Sequence, residues 1–190
     1  MMIAVIFAAA LVQAPPPAVP AAQAAPPGAT PAVPTQGDAP AITEIRTAAG
    51  ALVARAMIWQ ARGGIEVRVQ AAGLAPGHYG AHFHAVGRCE GPAFASAGAH
   101  WNPTGRQHGS LNPQGHHLGD LPNLDVDEHG AGRLEFLIAG ASTSGAGGLL
   151  DADGTALVIH AAADDYRTDP SGNSGARHAC GTFQANQATP

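Results

Sequence analysis

The run GIEVRVQ (residues 64–70) sets Ile65, Val67 and Val69 on one side of an extended chain and Glu66, Arg68 and Gln70 on the other. Period-two alternation in β-branched residues is the pattern of a strand with one buried face and one wet face. The texture recurs in AITEIRTA (41–48), ALVARAMIWQ (51–60), YGAHFHAV (79–86), GRLEFLIAG (132–140) and ALVIHA (156–161). It recurs more briefly in LPNLDV (121–126) and CGTFQ (180–184). Counting gives about eight short strands and no amphipathic helix, so the expected architecture is an all-β antiparallel sandwich or barrel. DEHG (127–130) is the expected hairpin turn.

Two stretches interrupt this rhythm. Residues 88–120 are rich in Gly, Pro, Asn and His, and residues 163–176 form a second irregular stretch. Each follows a strand that carries histidine. Loops of that length in a compact domain are usually functional.

The chain begins differently. MMIAVIFAAALVQA (1–14) has the length of a signal-peptide apolar core and is too short to span a bilayer. AQA at residues 22–24 offers a cleavage site, although no Lys or Arg precedes Arg46. The expectation is export, with residues 1–24 as signal peptide; the alternative is a cytosolic chain with an apolar tail. Nine prolines between residues 15 and 40 exclude helix and sheet interior, so residues 25–40 are expected to form an extended linker. The folded domain is expected over 41–186, with 187–190 as a short tail.

The formal charge is −5, and all nine basic residues are arginine. This excludes the clustered basic surface that nucleic-acid binding requires. No apolar run after the N-terminus is long enough for a transmembrane helix, so stable membrane insertion is not expected.

The histidines carry the chemistry. His82 and His84 stand two apart on a predicted strand, which puts both imidazoles on one face. The first long stretch then supplies His100, His108 and His117, with Asp120 three residues on. Three imidazoles and one carboxylate make a closed four-coordinate zinc set. LVIHAAADD adds His160 and Asp164. Imidazole suits copper and zinc, and a carboxylate tilts a site toward zinc.

With these motifs in order (HFH, GAHWNP, QHG, HLGD, LVIHAAADD and GARHACG), residues 41–184 resemble the copper/zinc superoxide dismutase family in its exported bacterial form. The resemblance implies an eight-stranded antiparallel Greek-key β-barrel, flattened like an immunoglobulin sandwich, with two long functional loops. It implies one copper ion on His82, His84, His100 and His160, and one zinc ion on His100, His108, His117 and Asp120. His100 would be shared by both, and Asp164 would link a ligand of each set from outside. Arg177 would guide the superoxide anion, acting in catalysis with His100.

The implied reaction is dismutation of superoxide to dioxygen and hydrogen peroxide, in the periplasm, protecting the cell envelope. The alternative is a non-enzymatic periplasmic copper/zinc-binding protein on the same scaffold. Relatives include monomers and homodimers, so self-pairing stays open. Cys89 and Cys180 are the only cysteines, and in an exported domain such a pair reads as one disulfide. His78, His116, His129 and His178 match no ligand position and are expected at the surface. Ala85 departs from the acidic residue many relatives carry there.

Overall fold

The computed structural model describes residues 39–185. The expected signal peptide, nearly all of the linker, and the tail at 187–190 lie outside the described residues. Among the described residues nine strands form: β1 (Ala41–Thr47), β2 (Leu52–Ala61), β3 (Gly64–Ala72), β4 (Gly77–Tyr79), β5 (Ala81–His84), β6 (Leu124–Val126), β7 (Ala131–Ala139), β8 (Thr155–His160) and β9 (Arg177–Phe183). They build one antiparallel sheet in the order β4-β6-β7-β3-β2-β1-β9-β8-β5.

The count corrects the expected eight, and the reason is local. β4 and β5 are one extended run broken at Gly80. The first half pairs with β6 and the second with β8. Because the two ends of the sheet order are adjacent in the chain, the sheet curls into a nearly closed Greek-key barrel rather than two separate layers. β7 lies beside β3 and β9 beside β1, the crossovers of that topology. The expected turn at 127–130 joins β6 to β7: Gly130 N–H donates to Asp127 O at 3.0 Å, and Asp127 Oδ1 accepts from the amides of His129 and Ala131. Among the described residues no helix is long and apolar enough to cross a membrane.

The alternation in β3 does what it predicts. Ile65, Val67 and Val69 are fully buried and pack with Ile45, Ile58, Phe83, Leu134, Leu157 and Phe183 in the main core. A second, smaller apolar cluster holds Phe94, Ala97, Ala156, Val158 and Cys180. Ala156 and Val158 alternate along β8 with the core residues Leu157 and Ile159. They therefore face out of the barrel, and the first long loop covers them.

Cys89 and Cys180 form the expected disulfide, with Cα atoms 5.7 Å apart and a sequence separation of 91. Cys180 sits inside β9 rather than at its start, because the strand begins three residues earlier at Arg177. The bridge clips the loop that leads to His100 onto the barrel. The Cys89→Ser/Cys180→Ser double variant is expected to lose roughly 4–5 kcal/mol of stability, from the closure entropy of so long a loop. Urea unfolding of parent and variant measures the difference; an unchanged midpoint would sink the prediction.

Candidate metal centre

β5 is buried at all four positions although its pleat has two faces. Phe83 points into the core. His82 and His84 point outward and are roofed by the returning loop. Backbone ladders hold that roof: Ala85 N–H donates to Ala99 O, Trp101 N–H to Phe83 O, Phe83 N–H to Gly119 O and Gly119 N–H to Trp101 O, all at 2.8–2.9 Å. A Cβ at Gly119 would lie 2.6 Å from Phe83 O and 3.0 Å from Trp101 O, so only glycine allows this approach. The pairing at Ala85 is main-chain, which makes the departure at this position tolerable to the roof. Isolated bridges set His84 opposite His100 and His82 opposite Asp120.

His82, His84, His100 and His160 converge. Their candidate ligand atoms lie within 4.8 Å of one another, and all four residues are buried. Each ring is anchored at one nitrogen. His82 Nε2 lies 2.7 Å from Asp164 Oδ2, His84 Nδ1 3.0 Å from Gly98 O, His160 Nδ1 3.3 Å from Gly175 O and His100 Nδ1 3.1 Å from Asp120 Oδ1. The other nitrogen of each ring (His82 Nδ1, His84 Nε2, His100 Nε2 and His160 Nε2) is buried with no hydrogen-bond partner. A buried polar atom without a partner is costly, and four together need an explanation. A neutral imidazole that donates on one side offers a lone pair on the other, as metal ligation requires. Burial holds three of them in that neutral form, lowering His84 to about 2, His160 to about 3 and His100 to about 4.

A second set shares His100. The Nδ1 atoms of His100, His108 and His117 lie 3.1, 3.0 and 3.1 Å from one oxygen, Asp120 Oδ1. His117 Nδ1 is 3.3 Å from His100 Nδ1. A tetrahedral zinc with bonds near 2.0 Å requires ligand atoms about 3.3 Å apart, close to these four separations. His82 also comes within reach of His100, His108 and Asp120. Its Nε2 is committed to Asp164 and its Nδ1 serves the first set, so His117 is the better fourth member. The other Asp120 oxygen accepts the amides of Gly109 and His117, each at 3.0 Å.

Asp164 joins the sets. Its fully buried side chain places Oδ2 on His82 and Oδ1 3.0 Å from His108 Nε2. Although burial opposes charge, the His108 and His82 contacts hold Asp164 well below the usual carboxylate range. Asp120 is likewise held low, by His100, His108 and His117. Burial pushes His108 down, but the Asp120 and Asp164 carboxylates outweigh it and raise the ring to about 9.

Arg177 lies beside the first set. Its Nη1 donates to Phe94 O at 2.7 Å and its Nη2 to Gly98 O at 2.6 Å, the carbonyl that also receives His84. A guanidinium has five N–H donors, so others remain for an anion. His78, His129 and His178 are exposed. His116 is half-buried, with Nδ1 donating to His117 O. None of the four joins either set.

Three supporting residues escape sequence reasoning. Asn123 grips the main chain of Asp164, accepting its N–H at 2.8 Å and donating to its carbonyl at 3.0 Å. Tyr166 accepts the Asn123 amide on its hydroxyl and the Leu111 amide on its carbonyl. Asp169 accepts the His108 amide at 2.6 Å. The proline and asparagine that interrupt LPNLDV were a usable sign that Asn123 has work outside the strand.

The sequence pattern of the family described as copper/zinc superoxide dismutase (SODC) matches residues 53–183. The chain is 38% identical over 150 residues to superoxide dismutase (Cu-Zn) 2 of Aquifex aeolicus, covering 77% of this chain and 88% of that protein. It is 44% identical over 128 residues to the superoxide dismutase-like protein YojM of Bacillus subtilis, covering 65% and 64%. The crystal structure of a SOD-like protein from Bacillus subtilis superposes with a TM-score of 0.71 at 39% identity, over 75% of this chain and 97% of that one. A double mutant of a Bacillus subtilis SOD-like protein, in which a tyrosine and a proline are each replaced by histidine, superposes with 0.72.

Proposed function

Because the chain belongs to the copper/zinc superoxide dismutase family, we propose that it converts two superoxide anions and two protons into dioxygen and hydrogen peroxide in the periplasm. His82, His84, His100 and His160 hold one copper ion, and His100, His108, His117 and Asp120 hold one zinc ion. Copper supplies, when bound, the one-electron Cu(II)/Cu(I) chemistry this reaction needs, and zinc has no redox chemistry of its own.

The chain's own groups do the rest. His100 presents Nε2 to one set and Nδ1 to the other, so it alone can hold a proton at Nε2 while anchored on the zinc side. Arg177, always charged and fixed by two carbonyls, attracts the anion and orients it beside His84 and His160. A local positive site of this kind works on a chain of net charge −5. Asp164 and Gly98 O keep the donating tautomers of His82 and His84, so that their free nitrogens stay ligands.

The observation that carries the proposal is the four unpartnered buried nitrogens gathered beside an anchored arginine. A second reading, a metal-binding protein without turnover, is favoured by the description of similar solved structures as SOD-like. Arg177 speaks against it, since a metal store needs no anion guide. The deciding experiment loads the chain with copper and zinc, counts both metals and follows superoxide decay in the parent and in Arg177→Ala. The parent is expected to hold one of each and to catalyse decay. The variant should keep both metals and lose about tenfold or more in rate, the weight of one charged donor at a reacting anion. Full metal content with no catalysis in the parent would make the binder the right reading.

A further inference from the structure

We propose that Asp169 is a positioning residue for the zinc set, setting zinc affinity through the main chain of His108. This rests on the metal reading above.

His108 lies in the first loop, outside every strand, and is fully buried. Its ring Nε2 lies 3.0 Å from Asp164 Oδ1, and its Nδ1, 3.0 Å from Asp120 Oδ1, makes no hydrogen bond and is left for a ligand's role. Its main chain is accounted for separately, because the amide N–H donates to Asp169 Oδ1 at 2.6 Å across to the second loop. The neighbouring amides of Gly109 and His117 go to Asp120, which belongs to the set itself. Asp169 is therefore the carboxylate outside the set that fixes where a ligand residue's backbone stands.

The same Oδ1 lies 4.0 Å from Nε2 of His117, a second loop-borne imidazole of the set. One oxygen thus sits against two ligands that have no strand to hold them. His82, His84 and His160, by contrast, are set by β5 and β8. Nearly half of the Asp169 side chain is open to water, so its charge is screened and the short hydrogen bond carries the effect. A displaced His108 backbone swings Nδ1 away from the common point at Asp120 Oδ1. The copper ligand in this loop, His100, is held separately by the main-chain bonds of Ala99 and Trp101 to the end of β5, so the effect falls on zinc.

The test uses the full chain, zinc and copper affinities from chelator competition, and the visible spectrum of cobalt(II) placed in the zinc set. In Asp169→Ala, zinc is expected to bind about 10–100-fold more weakly with shifted cobalt bands, while copper stays within about threefold of the parent. Asp169→Asn keeps an oxygen that accepts the His108 N–H, and should restore zinc affinity to within about threefold. The proposal is overturned if Asp169→Ala binds zinc as the parent does with unchanged bands. It is overturned equally if zinc and copper weaken together, or if asparagine fails to rescue. A parent that binds both metals without superoxide turnover overturns the dismutase reading and leaves this one standing. A parent that takes up no zinc overturns both.

Discussion

Replacing His160 with alanine is expected to remove copper and reduce superoxide decay to the uncatalysed background, while zinc stays at one per chain. His160 supplies one of the four free nitrogens of the first set and none of the second. Loss of an outer partner of a ligand costs about 10–100-fold in metal affinity, and loss of the ligand itself costs more. Three remaining imidazoles leave an open, softer site from which a chelator strips copper. The fold should survive. His160 closes the end of β8 at a register shift, and its ring makes only a 3.3 Å bond to Gly175 O. Alanine there also removes a buried, unpartnered nitrogen, which offsets part of the lost packing. Metal analysis after dialysis against a chelator, circular dichroism and a superoxide assay check the three statements. A variant that keeps copper would show that His82, His84 and His100 suffice, and the four-nitrogen reading would fail.

Local periodicity made much of this site legible, and long-range contact made the rest illegible. Ile65, Val67 and Val69 announce their burial because a strand's two faces alternate residue by residue. His82 and His84 share a face for the same reason, and the fold adds only that the face lies under a loop. The break at Gly80 is not visible in YGAHFHAV, because each half of the run alternates as well as the whole. Only the change of partner from β6 to β8 separates β4 from β5. Cys180 reads as a strand start because the basic and polar residues before it look like loop, yet Arg177 already pairs with His160. The partners of Asp169 and Asn123 were out of reach. Each residue acts on a main-chain group 61 or 41 residues away, and no spacing in sequence encodes such a hydrogen bond.

Asp164→Ala should weaken zinc by about 10–100-fold and copper by less, although the carboxylate touches one imidazole of each set. The asymmetry follows from what else holds the two rings. His82 stands in β5, paired with Val158 of β8, and its ring packs 4.2 Å from that of His100 between fully buried neighbours. Its direction survives the loss of Asp164 Oδ2, although the proton on Nε2 loses its acceptor. His108 stands in a loop. Without Asp164 Oδ1, its Nε2–H is buried with no partner, and the ring can turn toward the space the carboxylate leaves. The main chain of the second loop also loosens there, because Asp164 Oδ1 accepts the Tyr166 amide at 2.7 Å and Tyr166 in turn holds Leu111 and Asn123. Chelator competition for each metal, run on the same preparation, reads the two affinities separately. Should copper fall further than zinc, the strand does not orient His82 unaided, and the carboxylate's principal duty lies on the copper side.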